Sequence, residues 1–179
     1  KMGIEPKEYI EQMDITPGKL NIGFRTNTSF TEEDYYPLVV CSSVLGGGPH
    51  SKLFMNVREK ASLAYYAFSQ LEKFKGLMFI GAGIDFDNYD RTFEIINAQL
   101  EDIRNGIISD KELDASKRSI ITALKGIKDQ PGQIIDYYLG NVVANTDQSI
   151  DDFIDSIEKV DRDEVTRVSH KIKLDTIYF

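Results

Sequence analysis

The chain has 179 residues, 41% hydrophobic and 28% charged, enough for one globular unit with a sizeable core or two small ones. With 29 acidic against 21 basic residues the net charge is -8, which disfavours a nucleic-acid partner and favours positively charged peptides. No apolar run reaches the roughly 18 residues of a membrane-spanning helix, so no membrane partner is expected.

The leading segment, residues 1–18, is polar and ends in Thr16-Pro17-Gly18, a turn signal. It opens KMGIEPKEYIEQMD, with no apolar signal-peptide core, and starts at Lys1 rather than at methionine, which reads as a piece cut from a longer chain. Residues 19–28 alternate Leu20, Ile22 and Phe24 with polar residues, the period of a half-buried strand. Asp34 is placed to cap a helix whose first turn tolerates Pro37, and Leu38, Val39, Cys41, Val44 and Leu45 supply its apolar body. Gly46-Gly47-Gly48-Pro49 stops that helix, and Ser51 can cap the next, with Leu53, Phe54 and Val57 inward and Arg58 on it.

Two strands, about 63–72 and 76–85, follow around a Phe74-Lys75-Gly76 hairpin connection. Tyr89, Phe93, Ile96, Leu100 and Ile103 then recur at helical spacing, and Gly106 fits the left-handed position after that helix. Ser109 and Glu112 form a capping box for a helix with Leu113, Ile120, Leu124 and Ile127 inside. Pro131-Gly132 separates it from a helix near 133–145, with shorter ones near 149–158 and 161–172, and LDTIYF closes as a strand. Strands and helices segregated in this way define an α+β domain, residues 19–179, a mainly antiparallel sheet with helices on one face.

The chemistry has few carriers. His50 and His170 lack the neighbouring ligands of a zinc motif. Cys41 sits in an apolar helical run and reads as inert core; as the lone cysteine it excludes an intrachain disulfide, in keeping with a cytoplasmic location. The triple glycine follows a helix rather than a strand and lacks a following Gly-Lys-Ser/Thr, so it reads as a helix stop and not a phosphate cradle. Acidic groups at 32–34, 151–155 and 161–164 suit helix N-termini. Gly81 and Gly83 in the second hairpin strand admit a close neighbour or mark a bulge. Tyr65 and Tyr66 should point to opposite sides of their strand, one to the core and one to a groove. Arg58 and Tyr65 remain. A guanidinium and a phenol at one helix-to-strand corner can grip a peptide carbonyl or steady an oxyanion; the alternative is a surface ion pair beside a packed tyrosine.

The run Val57-Arg58-Glu59-Lys60-Ala61-Ser62-Leu63-Ala64-Tyr65, preceded by LGGGPHSKLF and followed by FKGLMFIGAGI, resembles the second domain of M16 metallopeptidases, the pitrilysin and mitochondrial-processing-peptidase family, and among them the small bacterial members. The resemblance covers about Lys19 to Phe179. It implies a LuxS/processing-peptidase-like domain and a closed chamber between facing domains. A first domain would carry zinc on an inverted H-x-x-E-H motif. It also implies that Arg58 and Tyr65 reach across that chamber to substrate or tetrahedral intermediate. No H-x-x-E-H occurs in this chain, so zinc is expected in a missing N-terminal domain and no peptidase activity in the piece alone. The expected partners are a peptide substrate, the N-terminal M16 domain of the same chain, and a second M16 chain as homo- or heterodimer. A non-catalytic M16-like interaction subunit, partnering an active peptidase, is the rival reading.

Overall fold

The computed structural model describes residues 5–13 and 15–179. Alternation in GKLNIGFR makes β2 (Gly18–Arg25), whose Leu20, Ile22 and Phe24 are all buried while the intervening Lys19, Asn21 and Arg25 face out. It pairs antiparallel with β4 (Leu77–Ile84), which in turn pairs antiparallel with β3 (Ala64–Glu72). The closing LDTIYF does enter the sheet, as β5 (Lys173–Tyr178), antiparallel to the other side of β2. A short strand in the leading segment, β1 (Lys7–Tyr9), pairs parallel with β5. Residues 1–4 and 14 of that segment lie outside the described residues. The sheet order is β1-β5-β2-β4-β3, so β3 is a nine-residue edge strand.

The helices cover one face. α1 (Tyr35–Gly46) is apolar nearly all round and lies in the middle of the layer, with Leu38, Val40, Cys41, Val44 and Leu45 essentially inaccessible. Around it pack α2 (Tyr89–Arg104), α3 (Asp110–Ile127), α5 (Ile150–Lys159) and α6 (Arg162–Ser169), while α4 (Pro131–Ala144) lies at the margin of the layer, against α3, with Tyr137 donating to the Ser149 carbonyl at the start of α5. Ile96, Leu100 and Ile103 of the α2 stripe are buried; Phe93 and Tyr89 are only half-buried at its beginning. Burial of each Leu or Ile here is worth about 1.5–3 kcal/mol. Ser109–Glu112 is a complete capping box, and Gly106 takes the left-handed φ of 72° that ends α2.

Asp34 stands at the N-cap of α1, but its carboxylate does not cap. Arg167 and Lys171 claim it at 2.7 and 2.6 Å, which ties the start of α1 to α6. At the other end of α1, Gly46 lies against the backbone of β3, where Ser42 and Ser69 join hydroxyls at 2.6 Å. This contact fixes β3 on the helix layer, with no strand on its outer side among the described residues.

Candidate functional site

Three departures from regular backbone fall between Arg58 and Tyr65. The helix expected here starts as expected, with the Phe54 N–H donating to Ser51 Oγ at 3.4 Å, but it widens into a π-helical segment, Phe54–Lys60. It ends in a widened cap: the Leu63 N–H reaches back to Val57 O at 3.0 Å, and Ser62 takes a left-handed φ of 53°. A β-bulge follows. Ala64 pairs with Ile84 and Tyr66 with the adjacent Gly83, so Tyr65 is an extra residue on the edge strand.

The bulge overturns the expectation that Tyr65 and Tyr66 divide between core and groove. Both are exposed, Tyr65 at 58% and Tyr66 at 39%, because one inserted residue breaks the alternation and Ala67 takes the core position. Val57 and Leu63 anchor the corner in the core. Phe54, expected inward, is half-buried, and the Arg58 guanidinium lies 4.7 Å from its ring centroid. Arg58 also meets Glu59 at 3.8 Å, a long and exposed ion pair of little energetic weight. Tyr65 Oη donates to Asp85 Oδ1 at 3.0 Å, and this hydrogen bond to the neutral phenol raises its pKa. Arg58 and Tyr65 thus share the corner, each held by its own neighbour and each open to solvent.

Beyond Tyr65 the open face of the sheet carries an aromatic strip that the hydrophobic pattern did not disclose. Phe68 lies over Gly81 and Tyr66 over Gly83: a Cβ at either glycine would come within 2.6 and 2.4 Å of the ring carbons. Those two glycines therefore admit aromatic rings from the neighbouring strand, and the rings stack with centroids 6.1 Å apart. The signal was present in sequence as Gly-x-Gly opposite Tyr-x-Phe, readable only once the register is known. One residue past Asp85, Phe86 borders a cleft of about 620 Å³ that Met13, Ile15, Lys19, Tyr178 and Phe179 also line. Asp85 was the residue that sequence reading missed altogether.

The donors present do not fit a zinc centre. His50 Nε2 faces Ser43 Oγ at 3.4 Å, and burial lowers the pKa of its imidazole. Cys41 is fully buried, its thiol pushed up to about 12 by desolvation. His170 ends α6 on an exposed turn. Among the described residues no three His, Cys, Asp or Glu side chains converge on one point.

An α+β domain with one sheet face open and, among the described residues, no converging set of metal donors is the class this architecture defines. The model of the peptidase M16 inactive domain matches residues 4–120, and the chain belongs to that family. The Bacillus subtilis protein named "Probable inactive metalloprotease YmfF" is 39% identical over 176 residues, which span 98% of this chain and 41% of that one. The B. subtilis "Uncharacterized zinc protease YmxG" is 29% identical over 125 residues, 66% of this chain and 30% of that one. A crystal structure of a conserved protein from Enterococcus faecalis superposes with a TM-score of 0.91 at 33% identity, covering 97% of this chain and 41% of that one. The chain thus spans about two fifths of the length of YmfF and of the E. faecalis protein.

Proposed function

We propose that this domain is the peptide-holding half of an M16 protein, closing a chamber over an extended peptide and contacting it with Arg58 and Tyr65. The observation that carries the reading is the corner itself. A guanidinium and a phenol stand exposed where a π-helical segment, a left-handed serine and a β-bulge coincide, beside a nine-residue edge strand whose sole strand neighbour among the described residues is β4. Such an edge offers main-chain hydrogen bonds to an extended chain, and the Tyr66/Phe68 strip offers apolar contact for alternate side chains. Net charge of -8 favours basic peptides. YmxG is named a zinc protease; in this reading the zinc belongs to an N-terminal partner domain, and the setting is cytoplasmic.

The word "inactive" in the name of YmfF favours a second reading, in which the parent lacks peptidase chemistry; this domain would then serve as a partner of an active M16 chain. Both readings require a peptide or partner to meet the same corner. In the chain itself, Tyr65→Phe and Arg58→Ala should each weaken binding of an extended basic peptide about fivefold to tenfold, the worth of one hydrogen bond, with thermal melts unchanged. In an active parent or complex, Tyr65→Phe lowering kcat would assign the pair to the transition state, whereas a rise in KM alone would assign it to holding peptide. If neither affinity nor kinetics moves, Arg58 and Tyr65 are surface residues and the proposal fails.

A further inference from the structure

A phenol has one proton and two lone pairs, and an ionised carboxylate can only accept. The 3.0 Å contact between Tyr65 Oη and Asp85 Oδ1 therefore commits the single phenolic proton to Asp85. What Tyr65 turns to solvent is its lone pairs, made more basic by the bond it donates.

The backbone holds this arrangement from both sides. Tyr65 is the extra residue of the bulge, and Asp85 directly follows Ile84, the last residue of β4 and the partner of Ala64. Asp85 stands at the N-cap of the short 3-10 turn Phe86–Asn88, where an aspartate usually caps with its side chain. Here it makes no side-chain cap. Its main-chain carbonyl takes the Asn88 N–H at 3.0 Å instead, which leaves the carboxylate free to turn across the strand end to Tyr65.

We infer that Asp85 is a positioning residue that makes Tyr65 an acceptor, so that the corner reads a peptide N–H through Tyr65 and a peptide carbonyl through Arg58. The inference rests on the peptide-holding reading and sharpens it into a rule of specificity. The peptide residue that meets Tyr65 must carry an N–H, and proline or an N-methylated residue there binds poorly. A phenol free of Asp85 would instead donate to a carbonyl and show no such preference.

The test uses a labelled extended peptide of valine and lysine with one phenylalanine to fix its register, N-methylated at one position at a time. In the unaltered chain one position should lose about fivefold in affinity on methylation. Tyr65→Phe should abolish that penalty. Asp85→Ala should abolish it too, because the proton is released, while Asp85→Asn, whose amide oxygen still accepts from the phenol, should keep most of it. With ring-labelled tyrosine followed by NMR and Tyr65 assigned from Tyr65→Phe, the phenol should titrate lower in Asp85→Ala than in the unaltered chain. A penalty of equal size in Asp85→Ala, or a Tyr65 titration indifferent to Asp85, overturns the inference and leaves peptide holding intact. Failure of the unaltered chain to bind the peptide at all overturns both.

Discussion

Replacing Gly46 by alanine perturbs the joint that carries the candidate site on the core. Gly46 is the last residue of α1, and a Cβ built there lies 2.3 Å from Ser69 N and 2.8 Å from the Phe68 carbonyl carbon. Ordinary contact begins near 3.4 Å, so α1 and β3 must part by about 1 Å. The obstacle is backbone, which no rotamer change can move aside. Overpacking of this kind costs about 1–3 kcal/mol, and the better helix propensity of alanine returns less than about 1 kcal/mol. A net loss of about 1–2 kcal/mol should lower the melting temperature by about 2–8 °C in a domain of this size. It should also lower the urea midpoint at unchanged slope. Gly126→Ala is the control: it lies in α3 with nothing within 4 Å of the new Cβ, and should stabilise by about 0.5–1 kcal/mol. If Gly46→Ala were neutral or stabilising, the close seating of α1 on β3 would be wrong, and with it the support assigned to the edge strand.

Ile96→Ala should cost about 2–5 kcal/mol in denaturant unfolding, because its side chain is wholly buried, while Phe93→Ala, half-buried, should cost less than the ~3–5 kcal/mol of a fully buried phenylalanine. Asp34→Asn should destabilise at neutral pH and progressively less under acid: Lys171, with help from Arg167, holds the Asp34 carboxylate below its ordinary value. A depressed carboxylate contributes fully above its unfolded-state pKa of about 3.9 and loses that contribution as pH falls through its lower folded value. The unfolding curves of the two proteins should therefore converge below about pH 4.

Long, periodic elements were legible in the sequence because burial and spacing agree there. The stripe from Ile96 to Ile103, the alternation of Leu20, Ile22 and Phe24, and the Ser109 capping box each state one physical requirement locally, and each reappears in the fold. β1 carries no such signal: its three residues are all exposed, and only the backbone of β5 makes them a strand. The Asp34 cap failed for a related reason, since its competing partners Arg167 and Lys171 are more than a hundred residues away. At the candidate site the residue types were visible but not their setting. Arg58 and Tyr65 could be named from spacing. The bulge that exposes both Tyr65 and Tyr66 depends on strand register, which a single sequence does not fix. Asp85 joins Tyr65 only through the pairing of β3 with β4, and the fit of Phe68 over Gly81 has the same origin.

On the proposed function, an extended peptide should meet this domain at the Arg58–Tyr65 corner and along β3. Amide hydrogen exchange of the chain, with and without a saturating extended basic peptide, tests it most directly. Exchange should slow for amides of the edge strand Ala64–Glu72 and the turn after Arg58, with the inner strands β2 and β4 unchanged. Protection confined to the helical face, or none at peptide concentrations that saturate binding, would contradict it.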